Sequence, residues 1–312
     1  MYHVSVLSIL AIIFSMFVSI GGPVFLCFYV AKRYRAKLYP AVIGAAAFAL
    51  FVLILESVFH NVVLGSTGDL ITGNIWLYGL YGGLTAGIFE ETGRFLAMRF
   101  YMKKSMSKGN ALMYGVGHGG IEAVLLVGIS YISNLVVALM INTTGVDQLL
   151  SGLDEATKAE SLEQLSALWT IPAYQFFFAG IERISAMLLQ LALSYLVYRA
   201  VKEKKMSFYG KAIGIHFVVD AATVILSSYL GDSFIGLLVT ECVVLAAVLL
   251  VCRWAYALFH DEEDTEVVKE PVKVTEEKKT GISAAANAVK RMEKAAKTPA
   301  ESTSETEEDN GN

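Results

Sequence analysis

Residues 4 to 31 (VSVLSILAIIFSMFVSIGGPVFLCFYVA) contain no Asp, Glu, Lys or Arg. A helix rises 1.5 Å per residue, so about 20 apolar residues cross the hydrocarbon of a bilayer. Lipid cannot hydrogen-bond a peptide backbone, which restricts such a segment to a helix or a closed barrel. A cleaved signal peptide would open on basic residues and carry a shorter apolar core. This chain opens MYHV, so the stretch is expected to remain as a first membrane span.

Further apolar runs cover 40–64, 74–100, 110–142, 170–199, 209–230 and 233–259. Of 312 residues 55% are hydrophobic and only 17% charged, where soluble domains carry about 25% charge. The fold class expected is all-α: a polytopic membrane helix bundle of seven transmembrane helices within residues 1–260. Its partners are then the lipid bilayer of the cell membrane and membrane-borne molecules, not nucleic acid.

Loop charge gives the orientation, because loops rich in Lys and Arg stay cytoplasmic. Lys32, Arg33, Arg35 and Lys37 mark the first loop, Arg99, Lys103, Lys104 and Lys108 the third, and Arg199, Lys202, Lys204, Lys205 and Lys211 the fifth. Residues 61–73 and 231–233 carry no Lys or Arg, and 143–169 only Lys158. The alternation predicts an external N-terminus and a cytoplasmic C-terminus. The leucines at 149, 150, 153, 162, 165 and 168, set among acids, suit an external amphipathic helix over 143–169. Residues 261–312, with 14 acidic and 8 basic side chains and no aromatics, predict a disordered acidic cytoplasmic tail. A short helix around 283–297 and a cytoplasmic partner are expectations for that tail.

Ionisable groups inside spans cost about 2.5–3.5 kcal/mol each at the bilayer centre and are usually functional. Glu90, Glu91 and Arg94 interrupt the third span (GIFEETGRF), His118 and Glu122 the fourth, His216 and Asp220 the sixth. Counted from the basic loops, Glu90 lies roughly 14 Å deep, His118 roughly 12 Å, and His216 and Asp220 roughly 8 and 14 Å. The agreement in depth places them in the cytoplasmic half, within a core at 74–230. Residues four apart share a helix face, as Glu90/Arg94, His118/Glu122 and His216/Asp220 do. Gly83, Gly87, Gly115, Gly119 and Ala212 extend those faces and allow close helix approach.

Imidazole is the commonest zinc ligand, and a catalytic zinc keeps three protein ligands plus water. His118 and His216 supply two candidates; Glu122, Asp220 or one of the glutamate pair supplies the third. A remaining glutamate suits a general base, and Arg94 suits orientation of the glutamates or an oxyanion contact. Spacing does not separate metal-binding acids from acids that orient a histidine.

FEETGRF, YGVGHGGIEA and HFVVDAA together resemble the YhfC-like intramembrane metalloproteases, distant relatives of the CAAX-prenyl and bacteriocin-processing endopeptidases and of PrsW-type proteases. The wider pattern is a double glutamate followed by Arg or Lys, an aromatic-x-x-x-His and a His-x-x-x-Asn/Asp, on separate membrane helices. Glu90-Glu91 with Arg94, Tyr114 with His118, and His216 with Asp220 match it in order. The arginine follows the pair by three positions and the last partner is Asp, both closer to the PrsW- and YhfC-like branches. The resemblance implies Glu90 as water activator and His118 and His216 at a metal or oxyanion site. The function expected is metal-dependent hydrolysis of peptide bonds in membrane-embedded or membrane-anchored substrates.

Other polar groups suggest humbler roles. Glu182 and Arg183, adjacent and about 100° apart on a helix, are expected to need separate partners. Glu56, His60 and Glu241 are expected to line or border the bundle. Cys27, Cys242 and Cys252 lack metal or redox spacing. Two competing functions are a proton- or metal-ion-coupled transporter, disfavoured by the absence of a repeated half, and a non-catalytic scaffold acting through the tail.

Overall fold

The computed structural model describes residues 2–262, and among these the secondary structure is helical throughout, with no strand. The expected acidic tail and its helix at 283–297 lie outside the described residues, apart from Asp261 and Glu262. Eight helices carry the architecture: α1 (Val6–Tyr34), α2 (Tyr39–Thr67), α3 (Ile75–Phe100), α4 (Lys108–Thr144), α5 (Glu155–Thr170), α6 (Ala173–Glu203), α7 (Met206–Leu230) and α8 (Phe234–Asp261). Six of them, all but α3 and α5, are long and apolar enough to cross a membrane. The 26 residues of α3 have the length, but Glu90, Glu91 and Arg94 dilute its hydropathy.

The sequence explains where these helices start and stop. Asn74, Ser107, Asp154 and Ser233 each accept a hydrogen bond from the first exposed amides of α3, α4, α5 and α8. Left-handed Arg35 and Lys204 follow the last turns of α1 and α6.

Most helices turn large apolar side chains outward, Phe17, Phe28, Val42 and Leu250 among them. The most apolar stretch of α6 differs: 56% of it is buried, against 17% to 28% in the other candidate spans. It is the central post, packed by α1, α3, α4, α7 and α8. Leu193, Leu196, Val197 and Tyr198 form its inner core with Met98 and Tyr114.

Small residues set the closest helix approaches. A Cβ on Gly83 would lie 2.5 Å from the Phe217 carbonyl oxygen of α7, and one on Gly87 2.9 Å from that of Ile213. Gly117 of α4 faces the Ala41 backbone of α2 with no room for a Cβ. These contacts draw the Glu90 face of α3 against α7 and the His118 face of α4 against α2 and α6.

The segment 143–169 contains a helical turn, Val146–Leu149, followed by α5. Val146, Leu150 and Leu168 are buried in a cluster with Val4, Ile12 and Phe176, so this segment caps one end of α1 and α6. Asn142 fastens the chain start there, accepting from Val4 N (2.8 Å) and donating to Val4 O (2.9 Å).

Candidate functional site

Glu90 and Glu91 are neighbours on α3, hence about 100° apart around it, and each takes a different imidazole. Glu90 Oε2 accepts from His118 Nε2 at 2.9 Å; Glu91 Oε1 accepts from His216 Nδ1 at 2.9 Å. With its Nδ1–H committed to Glu91, His216 turns Nε2 toward Glu90 Oε2 (3.9 Å) and Asp220 Oδ2 (3.4 Å). Three helices thus bring both histidines to one carboxylate oxygen. Glu90 and the two imidazoles are 6%, 1% and 2% exposed, far from bulk water. The His118 ring is stacked on Tyr114 and meets the edge of Phe48, which fixes its plane.

Arg94 meets the second glutamate of the pair. Its Nε lies 3.4 Å from Glu91 Oε2, while Nη1 donates to the Gln190 carbonyl (2.9 Å) and Ser194 Oγ (3.0 Å), and Nη2 to Gln190 Oε1. The long side chain reaches α6, and on the way its guanidinium meets the Glu91 carboxylate.

Gln190 is the hub that sequence analysis missed. Its amide nitrogen donates at 2.9 Å to Glu90 Oε2 and at 2.9 Å to Glu122 Oε2 while its oxygen accepts from Arg94. The available signal was a lone amide inside MLLQLALSYLV, a polar group that a membrane span carries only with partners.

Glu122 does not share a partner with His118. It accepts from Gln190 and from Arg183 Nη1 (3.0 Å), and Arg183 Nη2 donates to Glu182 Oε1 at 2.6 Å. Glu182 and Arg183 therefore pair with each other, contrary to expectation, because the arginine is long enough to curl back over its own turn. Toward the end of α2, buried Glu56 contacts His60 Nε2 (3.2 Å), and His60 Nδ1 meets Tyr81 OH (2.8 Å), a separate chain of contacts.

These groups surround a cavity of about 370 Å³, with Glu90, Glu122, Arg183, Gln190, His216 and Asp220 on its polar walls. Phe48, Leu53 and Leu126 supply apolar wall. Val52, Leu53 and Leu126 lie in the π-helical stretches Ala49–Glu56 and Val124–Gly128, a distortion that recurs at functional sites.

A metal needs a placed set of donors. Among the described residues no three His, Cys, Asp or Glu side chains stand where they could hold one ion. Of the acids expected as alternatives for a third ligand beside His118 and His216, Glu122 is held by Gln190 and Arg183, while Asp220 and Glu90 lie 3.4 and 3.9 Å from His216 Nε2. The donor types suit zinc, but their placement here serves hydrogen bonds among themselves.

A model of the YhfC intramembrane metalloprotease family matches residues 14–244. The chain belongs to that family. It is also similar to the "Uncharacterized membrane protein YhfC" of Bacillus subtilis (strain 168), at 39% identity over 206 residues, 65% of this chain and 79% of that protein. No solved structure matches it significantly. Together with its six apolar helices, this makes the chain a multi-pass membrane protein. The matched span takes in α3, α4, α6 and α7, the helices that carry the cavity's polar walls.

Proposed function

We propose that this protein is an intramembrane endopeptidase of the cell membrane, with α3 as a seventh span, the N-terminus outside and Glu90 as its general base. One observation carries this: a buried carboxylate at the wall of a membrane-level cavity is faced by two imidazoles, at 2.9 and 3.9 Å. An amide is slow to hydrolyse because water is a weak nucleophile and the amide nitrogen a poor leaving group. Glu90 takes a proton from a water in the cavity as its oxygen bonds to the scissile carbonyl carbon. The same proton passes to the amide nitrogen as the C–N bond breaks, giving a carboxylic acid and an amine and returning Glu90 as its carboxylate. His118 holds the Glu90 carboxylate in position through Nε2, and Gln190 holds it from the other side. His216, fixed by Glu91 through Nδ1–H, presents Nε2 to the same space, and as the imidazolium, with a proton on both nitrogens, it donates from Nε2 to an oxyanion.

The family's description implies a metal, and imidazole with carboxylate points to zinc, His118 and His216 being its first candidate ligands. Among the described residues no third donor stands with them to complete such a site.

The test is cleavage of membrane proteins in vesicles holding purified wild type or Glu90→Gln, read by new N-termini and by metal analysis of the same samples. Wild type should release termini from apolar segments and the variant should not. Equal termini in both would remove the peptidase proposal, and gradient-driven uptake without cleavage would point to transport.

A further inference from the structure

The cavity has a second polar wall that general-base chemistry at Glu90 leaves unused. Arg183 (7% exposed) and Ser185 (1% exposed) both line it, and neither Arg183 Nε nor Ser185 Oγ finds a hydrogen-bond partner among the described residues. Two buried donors left unpaired at one cavity wall are costly unless something arrives to accept from them. Arg183 already carries Glu122 and Glu182, so the group as a whole is not a cation seeking an anion. Its remaining capacity is neutral and two-sided. The guanidinium Nε–H and the serine hydroxyl donate, and Glu182, 43% exposed at its side chain, accepts at the rim.

A peptide main chain has that complement. A substrate helix must unwind before its amide reaches Glu90, and each unwound residue then exposes an N–H and a C=O that hydrocarbon cannot satisfy. We propose that Arg183, Ser185 and Glu182 form a main-chain subsite that pairs with the unwound segment of a polypeptide substrate beside the cleaved bond. This deepens the peptidase proposal above and rests on it.

Geometry also gives a register. Arg183 precedes Gln190 by seven residues, about 10 Å along α6, and Gln190 Nε2 touches Glu90. An extended chain advances about 3.3 Å per residue, so the clamp falls about three substrate residues from the attacked amide. The chain Arg183–Glu122–Gln190–Glu90 holds that spacing fixed through continuous hydrogen bonds.

The experiment measures binding, so that it does not depend on turnover. The probe is a fluorophore-labelled Leu/Ala peptide of about 20 residues, titrated against Glu90→Gln and Glu90→Gln/Ser185→Ala protein in phosphatidylcholine–phosphatidylglycerol vesicles. A second series replaces single peptide amides by esters. A purely structural Ser185 predicts that Ser185→Ala leaves binding and thermal stability unchanged or raises stability, since an unpaired hydroxyl is removed. The subsite predicts about fivefold weaker binding at unchanged stability, the loss of one neutral hydrogen bond. It also predicts that one ester position weakens binding to the protein that keeps Ser185 and has no effect on binding to the Ser185→Ala variant. Arg183→Gln, which takes from Glu122 one of its two partners, serves only as a folding-sensitive second variant. Equal affinity for both proteins across the ester series overturns the subsite, whatever the cleavage assay shows. Loss of binding with no Glu90-dependent cleavage would instead leave the subsite standing and remove the peptidase.

Discussion

Two carboxylates gather buried partners in this protein, and they end up differently. Glu262, just beyond α8, accepts from Tyr195 (2.9 Å), Tyr198 (2.6 Å) and Lys202, a clasp between the ends of α6 and α8. None of those side-chain atoms is buried without a partner among the described residues. Around Glu90, by contrast, His118 Nδ1 and Tyr114 OH are buried without a hydrogen-bond partner among the described residues, while Glu91 Oε2 and Arg94 Nε meet each other as an ion pair at 3.4 Å. A polar network built for stability closes on itself, whereas one built to meet a ligand keeps capacity in reserve. The Glu262 clasp is structural, and the Glu90 cluster is the candidate site.

The sharpest way to break this contrast is to neutralise each acid. Glu90→Gln should lower cleavage about a thousandfold, the scale of a lost general base, with insertion unchanged, while Glu262→Gln should retain wild-type turnover in the same vesicle assay. Comparable losses in both would erase the distinction. Next in size is Arg94→Ala, which leaves Glu91 charged and buried without its neighbour. Breaking a buried pair from one side costs about 3–5 kcal/mol, visible as a lower midpoint of thermal unfolding in detergent. Gly83→Val should cost about 1–3 kcal/mol by overpacking α3 against α7 and should also reduce activity, because the same contact sets the distance from Glu90 to His216.

The smallest effect belongs to the clasp. Burial alone would push the Glu262 carboxyl up, but hydrogen bonds from Lys202, Tyr198 and Tyr195 outweigh it and hold the group below the ordinary glutamate range. A depressed carboxylate contributes stability that is present above its unfolded value of about 4.3 and is lost as pH falls through the folded value. Amide exchange at the end of α8 should therefore quicken in acid, below about pH 4, and Glu262→Gln should abolish that acid step. An unchanged profile in the variant would mean the clasp is not what titrates.

Residue patterns sufficed for the long helices. Each expected span falls within three residues of a helix start, because apolar length and the capping Asn74, Ser107 and Ser233 are local properties. The helices overrun the expected ends at α1, α2, α4, α6 and α8, where polar and charged residues continue the helix out of the apolar run. Much of the cluster's membership was also legible, because an acid or histidine inside a span is rare enough to stand out; Gln190, a neutral amide, was not.

What stayed hidden was who pairs with whom. Spacing alone puts Glu90 on one face with Arg94 and His118 on one face with Glu122, and leaves their partners open. In the folded chain Glu90 takes His118, Glu91 takes His216 and Arg94, and Glu122 goes to Arg183 and Gln190. Period and depth are properties of one helix and can be read along it. Partner choice depends on how far each helix turns about its axis when Gly83, Gly87 and Gly117 let it settle against its neighbours, and only the packed bundle fixes that rotation.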